Sequence, residues 1–317
     1  VETMHNDIIY SIIIPHHNIP DLLRRSLTSI PFREDIQVII VDYCSDQEYL
    51  LSVKKIEEDF SWMKFIYSET AKDAGSARNI GLDSAIGKYI VFVDADDYFN
   101  YCIRELFDEY KDLDFDMLMF NAVSLDTDTY LFAYRGWVLN NIFEIAEKDK
   151  NKALYGLKYI FNEPWCRFVK KDIILKYNIR FDEQFIHNDL KFGYWTGYYS
   201  NNILLDNRAA YCVTNRRSSL SKQTFVNVWM LRTQTYAEKN RFCREHHIDF
   251  FDPKSFRGMF YFLAKRDWKH CKACKRMLHE SGENGMKFFM HTLLYPYYLV
   301  RKIVKERYIK NRLKKHY

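Results

Sequence analysis

Apolar and polar positions fall into two regimes along the chain. From residue 8 to about residue 97, short runs rich in Ile and Val alternate with stretches whose apolar positions recur every three or four residues. That is the pattern of strands alternating with helices in an α/β sheet. "IIYSIII" (8–14), "IQVIIVD" (36–42), "MKFIY" (63–67) and "YIVFV" (89–93) read as strands. "PDLLRRSLTSI" (20–30) reads as a helix with Pro20 near its start, followed by helices at 47–60 and at 76–86, the last stopped by Gly87. Beyond residue 112 the alternation weakens. "FDMLMFNAV" (115–123), "YLFAY" (130–134) and "WCRFVKK" (165–171) read as strands and "DIILKY" (172–177) as a short helix. From about residue 225 the pattern is helical to the end, which predicts two domains, 1–224 and 225–317.

Ligands of such sheets collect at the carboxyl ends of the strands. Here those ends are polar, at 15–18, 42–46, 68–75 and 94–97. The fourth strand closes on Asp94, Asp96 and Asp97, three like charges whose desolvation is costly unless a cation, hydrogen bonds or protons compensate. A divalent metal is the first hypothesis. The alternative is a solvated, Asp-rich turn that caps the next helix.

Composition fits a folded protein: 48% of the 317 residues are hydrophobic, with 24 Tyr and 24 Phe. Residues 1–7, "VETMHND", lack the apolar run of an export signal, so the seven scattered cysteines read as reduced thiols of a cytoplasmic protein. Cys271 and Cys274 form one Cys-x-x-Cys near His270 and His279, and two ordinary helix cysteines are the simpler reading than zinc or redox chemistry. "GLDSAIGKY" (81–89) fails as a phosphate loop, because five residues separate its glycines and Tyr89 stands where Ser or Thr would be needed. No Gly-x-Gly-x-x-Gly follows the first strand, and Tyr98 breaks a haloacid-dehalogenase-like Asp motif.

Five blocks in order carry a specific resemblance. "SIIIPHHN" (11–18), "VIIVDYCSDQ" (38–47), "DAGSARNIGLDSAIGKYIVFVDADD" (73–97), "PWCRFVKKDIILKYNIRFDEQFIHNDLKF" (164–192) and "NRRSSLS" (215–221) resemble the motifs of glycosyltransferase family 2. The resemblance implies a GT-A fold: a Rossmann-like mixed α/β sheet flanked by helices, here with a helical C-terminal extension. It implies a nucleoside-diphosphate sugar as donor, UDP-sugar favoured, with Mn²⁺ or Mg²⁺ stabilising the diphosphate leaving group. By the same carry-over, Asp96 and Asp94 hold the metal. Pro15, His17, Asn18, Asp42, Asp73, Arg78, Asp94 and Ala95 line the donor, with His17 against the base, Asp42 hydrogen-bonded to it and Arg78 near the diphosphate. Asp189 is the base that deprotonates the acceptor hydroxyl in an inverting transfer. Tyr43 and Cys44 depart from the family's Asp-Gly, and "HND" (187–189) stands where Gly-Glu-Asp is commonest.

Residues 301–317 carry eight Lys or Arg and one Glu, a local charge of +7 on a chain whose total is +5. They follow an apolar, aromatic stretch at 286–300 that is shorter than a spanning helix needs and contains Pro296. An aromatic, basic helix on an anionic membrane surface fits, placing the protein in the cytoplasm or peripherally on the inner face of the membrane, within reach of a glycan or lipid-linked acceptor; a solvated tail or a helix packed on a partner subunit are the alternatives. Nucleic acid is not expected as a partner, and a homo-oligomer is admitted. The competing class is a catalytically inactive GT-A scaffold, and a sugar nucleotidyltransferase would want a Gly-rich loop where "PHHNIP" stands.

Overall fold

An eight-stranded mixed sheet forms the heart of the first of two compact units, Val1–Lys222 and Gln223–Tyr317. The structure, a computed structural model, describes residues 8–216, 225–283 and 285–286. The block at 215–221 is therefore described only as far as Arg216, and the basic tail at 301–317 lies outside the described residues.

The strands are β1 (Tyr10–His16), β2 (Ile36–Tyr43), β3 (Lys64–Ser68), β4 (Tyr89–Phe92), β5 (Tyr98–Phe99), β6 (Met117–Asp126), β7 (Arg167–Lys170) and β8 (Ile203–Asn215), in the spatial order β3-β2-β1-β4-β7-β6-β8-β5. β3, β2, β1 and β4 are parallel, and β1 and β4 are buried throughout, as expected of a sheet covered on both faces. β7 runs against β4 and β6, and β8 runs with β6. One edge of the sheet therefore gathers the carboxyl ends of β1, β2, β3, β4, β6 and β8 with the start of β7.

Helices α1 (Pro20–Thr28), α2 (Gln47–Asp59), α3 (Ala74–Ser84), α4 (Ile103–Tyr110), α5 (Trp137–Ala146), α6 (Lys150–Tyr159), α7 (Lys171–Lys176) and α8 (Leu190–Tyr199) complete this unit. Pro20 opens α1, where its fixed φ is pre-organised, and a capping box between Asp73 and Ser76 opens α3. The second unit holds α9 (Val226–Glu245), a 3-10 turn at Pro253–Phe256, α10 (Arg257–Ala264) and α11 (Trp268–Glu280). Its small core of Ala237, Phe256 and Leu278 is pinned by Asn240, which exchanges hydrogen bonds with the Asp252 backbone. Cys274 is buried against Met230 and Thr233, and among the described residues the Cys-x-x-Cys joins no metal-ligating group. No helix of the described residues is long and apolar enough to cross a membrane.

Three expectations change. The run 130–134 makes a single bridge, Leu125 to Phe132, because the Asp126 carboxylate accepts from the Thr129 amide at 3.1 Å and turns the chain back. Tyr130, Leu131 and Phe132 are left exposed at the tip. α3 ends at Ser84, earlier than expected, and Gly87 does not cap it. A Cβ on Gly87 would stand 2.6 Å from the Ser11 backbone nitrogen, so glycine is needed there for backbone to pass close to β1. The 13-residue β8, with no expected counterpart, is the partner of β6.

Because the clash at Gly87 is with backbone, Gly87→Ala should cost about 1–3 kcal/mol. Urea unfolding should show a lower midpoint with an unchanged slope.

Candidate active site

The acidic turn after β4 is built from both sides. Ligand oxygens of Asp94, Asp96 and Asp97 lie within 4.8 Å of one another, a hard-oxygen donor set that suits Mg²⁺ or Mn²⁺. Asp97 is sealed in protein and spends its carboxylate on β8: it accepts from Tyr211 Oη at 2.9 Å and from the Thr214 amide at 2.6 Å. Tyr211 Oη also accepts from the Asp94 amide at 3.1 Å. Asp94 and Asp96 are therefore the pair that keeps some access to solvent, with side chains 18% and 13% exposed. Burial pushes the Asp96 carboxyl up, and the neighbouring Asp94 charge adds to the shift. For Asp97 burial and the Asp96 charge push it far higher.

Arg78 joins this turn to the 181–189 segment. Its Nη2 donates to Asp94 Oδ1 at 2.6 Å, its Nη1 to Asn188 Oδ1 at 3.0 Å, and its guanidinium lies over the Phe181 ring. It is buried, so it is not a surface ion pair of α3. Asn79 fixes the same segment by exchanging hydrogen bonds with the Phe181 backbone. Gly75 lets the segment sit down, since a Cβ there would stand 2.2 Å from the Asp182 carbonyl oxygen. Asp189 occupies the N-cap position of α8 without using its side chain as a cap. Asp189 is partly exposed at this edge, and desolvation of its carboxyl by the surrounding protein, with the Glu163 charge adding, pushes it up to about 6.

At the ends of β1 and β2, His16 Nε2 accepts from the Ile19 amide at 3.2 Å, which requires Nδ1 to be the donor in its 2.7 Å bond to Asp42 Oδ2. Ser45 donates to both Asp42 oxygens, from its amide at 3.1 Å and its hydroxyl at 2.6 Å. Burial acts to raise the Asp42 carboxyl, but these hydrogen bonds outweigh it and hold the group below the ordinary range. His17 is exposed and stacks on Tyr43 with ring centroids 5.0 Å apart. Asn18 exchanges hydrogen bonds with Asp46, while Pro15 and Ala95 are buried beneath the surface of the edge. Asp73, expected at the donor, accepts from the Ser76 amide at 2.9 Å as the cap of α3. Cys44 holds φ +57 where a glycine would be unstrained.

Two residues at this edge escaped the sequence reading. His16 stands inside the 11–18 motif, beside the His17 expected at the base. Arg135 has no motif: it follows the hairpin after β6 and comes to the turn only because β6 and β8 pair. Its Nη1 donates to the Thr214 carbonyl at 2.8 Å and its Nη2 lies 4.0 Å from Asp94 Oδ2. Burial works against its charge, but Asp97, Asp94 and Asp96 together outweigh that and raise its pKa. Arg216 Nε lies 3.6 Å from Asp96 Oδ2, and Arg25 donates to the Asp96 carbonyl at 2.6 Å.

The family described as "Glycosyl transferase family 2" matches residues 11–177, more than half of the 317-residue chain. The chain belongs to that family. YibD of Escherichia coli, an uncharacterized glycosyltransferase, is 25% identical to this family 2 glycosyltransferase over 255 residues, 75% of this chain and 67% of YibD. AmsB of Erwinia amylovora, the amylovoran biosynthesis glycosyltransferase, is 35% identical over 95 residues, 29% of this chain and 32% of AmsB. The chain thus spans a third or less of AmsB. Residues 1–349 of Staphylococcus aureus TarS, solved in complex with UDP-GlcNAc, superpose with a TM-score of 0.55 at 17% identity over 87% of this chain and 92% of that one. The mannosyltransferase PcManGT from Pyrobaculum calidifontis, in complex with GDP-Man and Mn²⁺, superposes with a TM-score of 0.52 at 14% identity over 86% and 74%. At these identities the likeness shows the fold, and the fold is GT-A.

The Asp189 shift has a stability consequence. Its folded pKa, about 6, lies above the ordinary value of 3.8, so ionising it costs stability above about pH 4 and costs most above pH 6. Asp189→Asn should therefore raise stability by about 1–3 kcal/mol at pH 8 and leave it nearly unchanged at pH 4, as measured by urea unfolding at the two pH values.

Proposed function

We propose that this family 2 glycosyltransferase is divalent-cation-dependent and inverting, and that it moves a sugar from a nucleoside-diphosphate donor, UDP-sugar favoured, to a glycan or lipid-linked acceptor in cell-surface polysaccharide synthesis. The observation that carries the reading is the pairing of the partly accessible carboxylates of Asp94 and Asp96 with Asp189, a carboxylate whose side chain does not cap α8. The TarS complex with UDP-GlcNAc, the PcManGT complex with Mn²⁺ and the amylovoran role in AmsB's name support the donor, the cation and the product class in turn.

In this reading Asp189 accepts the proton of the acceptor hydroxyl as its oxygen attacks the anomeric carbon in line, and the bond from that carbon to the diphosphate oxygen breaks on the opposite face. Held by Asp96 and Asp94, Mn²⁺ or Mg²⁺ would neutralise charge on the diphosphate leaving group. Arg78 stands beside that group as a fixed cation and keeps the Asn188–Asp189 segment in register with Asp94. Asp42 Oδ1, which among the described residues takes the Ser45 amide alone, keeps accepting capacity for the base, and the His17–Tyr43 stack offers the base an aromatic edge. Pro15, Asn18 and Ala95 shape that edge, and Asp73 acts through the start of α3. The basic sequence at 301–317 supports a cytoplasmic, membrane-apposed placement that would deliver a lipid-linked acceptor.

Two measurements test this. Calorimetric titration with UDP and GDP, each with Mn²⁺ or with chelator, should give cation-dependent binding of one nucleotide that Asp96→Asn abolishes. In turnover assays Asp189→Asn should lose about 10²–10⁴ in kcat while donor binding is kept. Wild-type kcat/KM should fall as pH drops below about 6, where Asp189 becomes protonated. Unchanged turnover in Asp189→Asn would remove that residue from the mechanism.

A further inference from the structure

Among the described residues, Arg25 holds the Asp96 carbonyl and three further guanidiniums approach the carboxylates of the acidic turn, and these three differ in what else they do. Arg78 is buried and tied to Asn188 as well as Asp94, so it is built into the frame. Arg216 lies 3.6 Å from Asp96 Oδ2. Arg135 is held at one end only: Nη1 is pinned to the Thr214 carbonyl, while Nη2 points at Asp94 Oδ2 from 4.0 Å, beyond hydrogen-bond reach, on a side chain 31% exposed. It is a cation parked beside Asp94 without a direct bond to it.

We infer that Arg135 is a positioning residue that makes cation and nucleoside diphosphate bind as a coupled pair, resting on the donor-site reading above. The guanidiniums gathered at the turn, Arg25 among them, already offset its carboxylates. A divalent cation arriving alone adds positive charge next to a fixed guanidinium and is disfavoured by it. A diphosphate arriving with the cation supplies compensating negative charge, and the planar guanidinium is suited to a phosphate at its open end. Arg135 thus lowers affinity for the bare cation and raises affinity for the cation–diphosphate pair. That is a coupling between two ligands, and it is reciprocal by linkage. If Arg135 were only a pin between the hairpin and β8, its loss would lower stability and leave the coupling alone.

The test is calorimetric titration of Mn²⁺ alone, of UDP and GDP alone, and of each nucleotide at saturating Mn²⁺, on the wild type, Arg135→Gln and Arg135→Lys. The wild type is expected to bind Mn²⁺ at least tenfold more tightly with the nucleotide present than without it. Arg135→Gln is expected to bind Mn²⁺ alone more tightly than the wild type and to lose at least tenfold of the coupling factor. Arg135→Lys, which keeps the charge but not the fork, should keep the weak Mn²⁺-alone affinity and lose only part of the coupling. A Gln variant with wild-type Mn²⁺ affinity and coupling overturns the inference. Should the Gln variant not fold, a Lys variant with the full wild-type coupling overturns it as well. A wild type that binds neither nucleotide with Mn²⁺ contradicts the donor-site reading itself, whereas normal nucleotide binding with unaltered coupling in the variants contradicts only the role of Arg135.

Discussion

Three carboxylates within 4.8 Å of one another at the end of a core strand are the constraint that the surrounding structure answers. At an effective dielectric near 20, two ionised groups at that spacing repel by about 3–4 kcal/mol. One hydrogen bond to a charged group returns about 1.5–3 kcal/mol, so no single partner offsets the cluster. The fold offsets it from several directions at once. Tyr211 and Thr214 bind Asp97 from β8, Arg78 binds Asp94 from α3, and Arg216 and Arg135 approach from the ends of β8 and the β6 hairpin. The partners are spread over elements far apart in sequence, so the turn is only as well placed as the sheet that gathers them.

That dependence explains the topology near the site. The reversed β7 brings the Glu163–Arg167 stretch to the same edge as Asp94, and β8, parallel to β6, returns Thr214 and Arg216 to it. Arg78 then carries the geometry from Asp94 to Asn188, next to Asp189. A displacement of the acidic turn would thus be felt at the candidate base, although no hydrogen bond joins Asp94 and Asp189 directly. The desolvation and the Glu163 charge that raise the Asp189 pKa suit a base, since a carboxylate with an ordinary pKa would be a weaker proton acceptor.

The first four parallel strands and the helices between them were readable from sequence because each is local. Fully buried strands show as unbroken apolar runs, and α3 carries its own cap. The acidic turn was readable because three Asp at the end of such a run have few cheap explanations. What was not readable depends on pairing between distant segments. β8 mixes buried and partly exposed positions with no period of two and has meaning only against β6, and "YLFAY" has strand composition but lies at an exposed tip with a single bridge to Leu125. Arg135 could not be found from its neighbours, because its partners, Thr214 and Asp94, are reached only through the folded sheet. His16 escaped for another reason: a histidine next to a motif aromatic gives no sign of being sealed against Asp42 until β1 and β2 are aligned.

The most direct measurement is anomalous diffraction at the manganese edge from crystals grown with Mn²⁺ and UDP, or with GDP if that is the nucleotide bound. A single anomalous peak between the carboxylates of Asp94 and Asp96, with the diphosphate beside it, is the expected result. A nucleotide seated at this edge with no manganese on either carboxylate, or a manganese peak elsewhere on the molecule, would contradict the assignment of the acidic turn as the cation site.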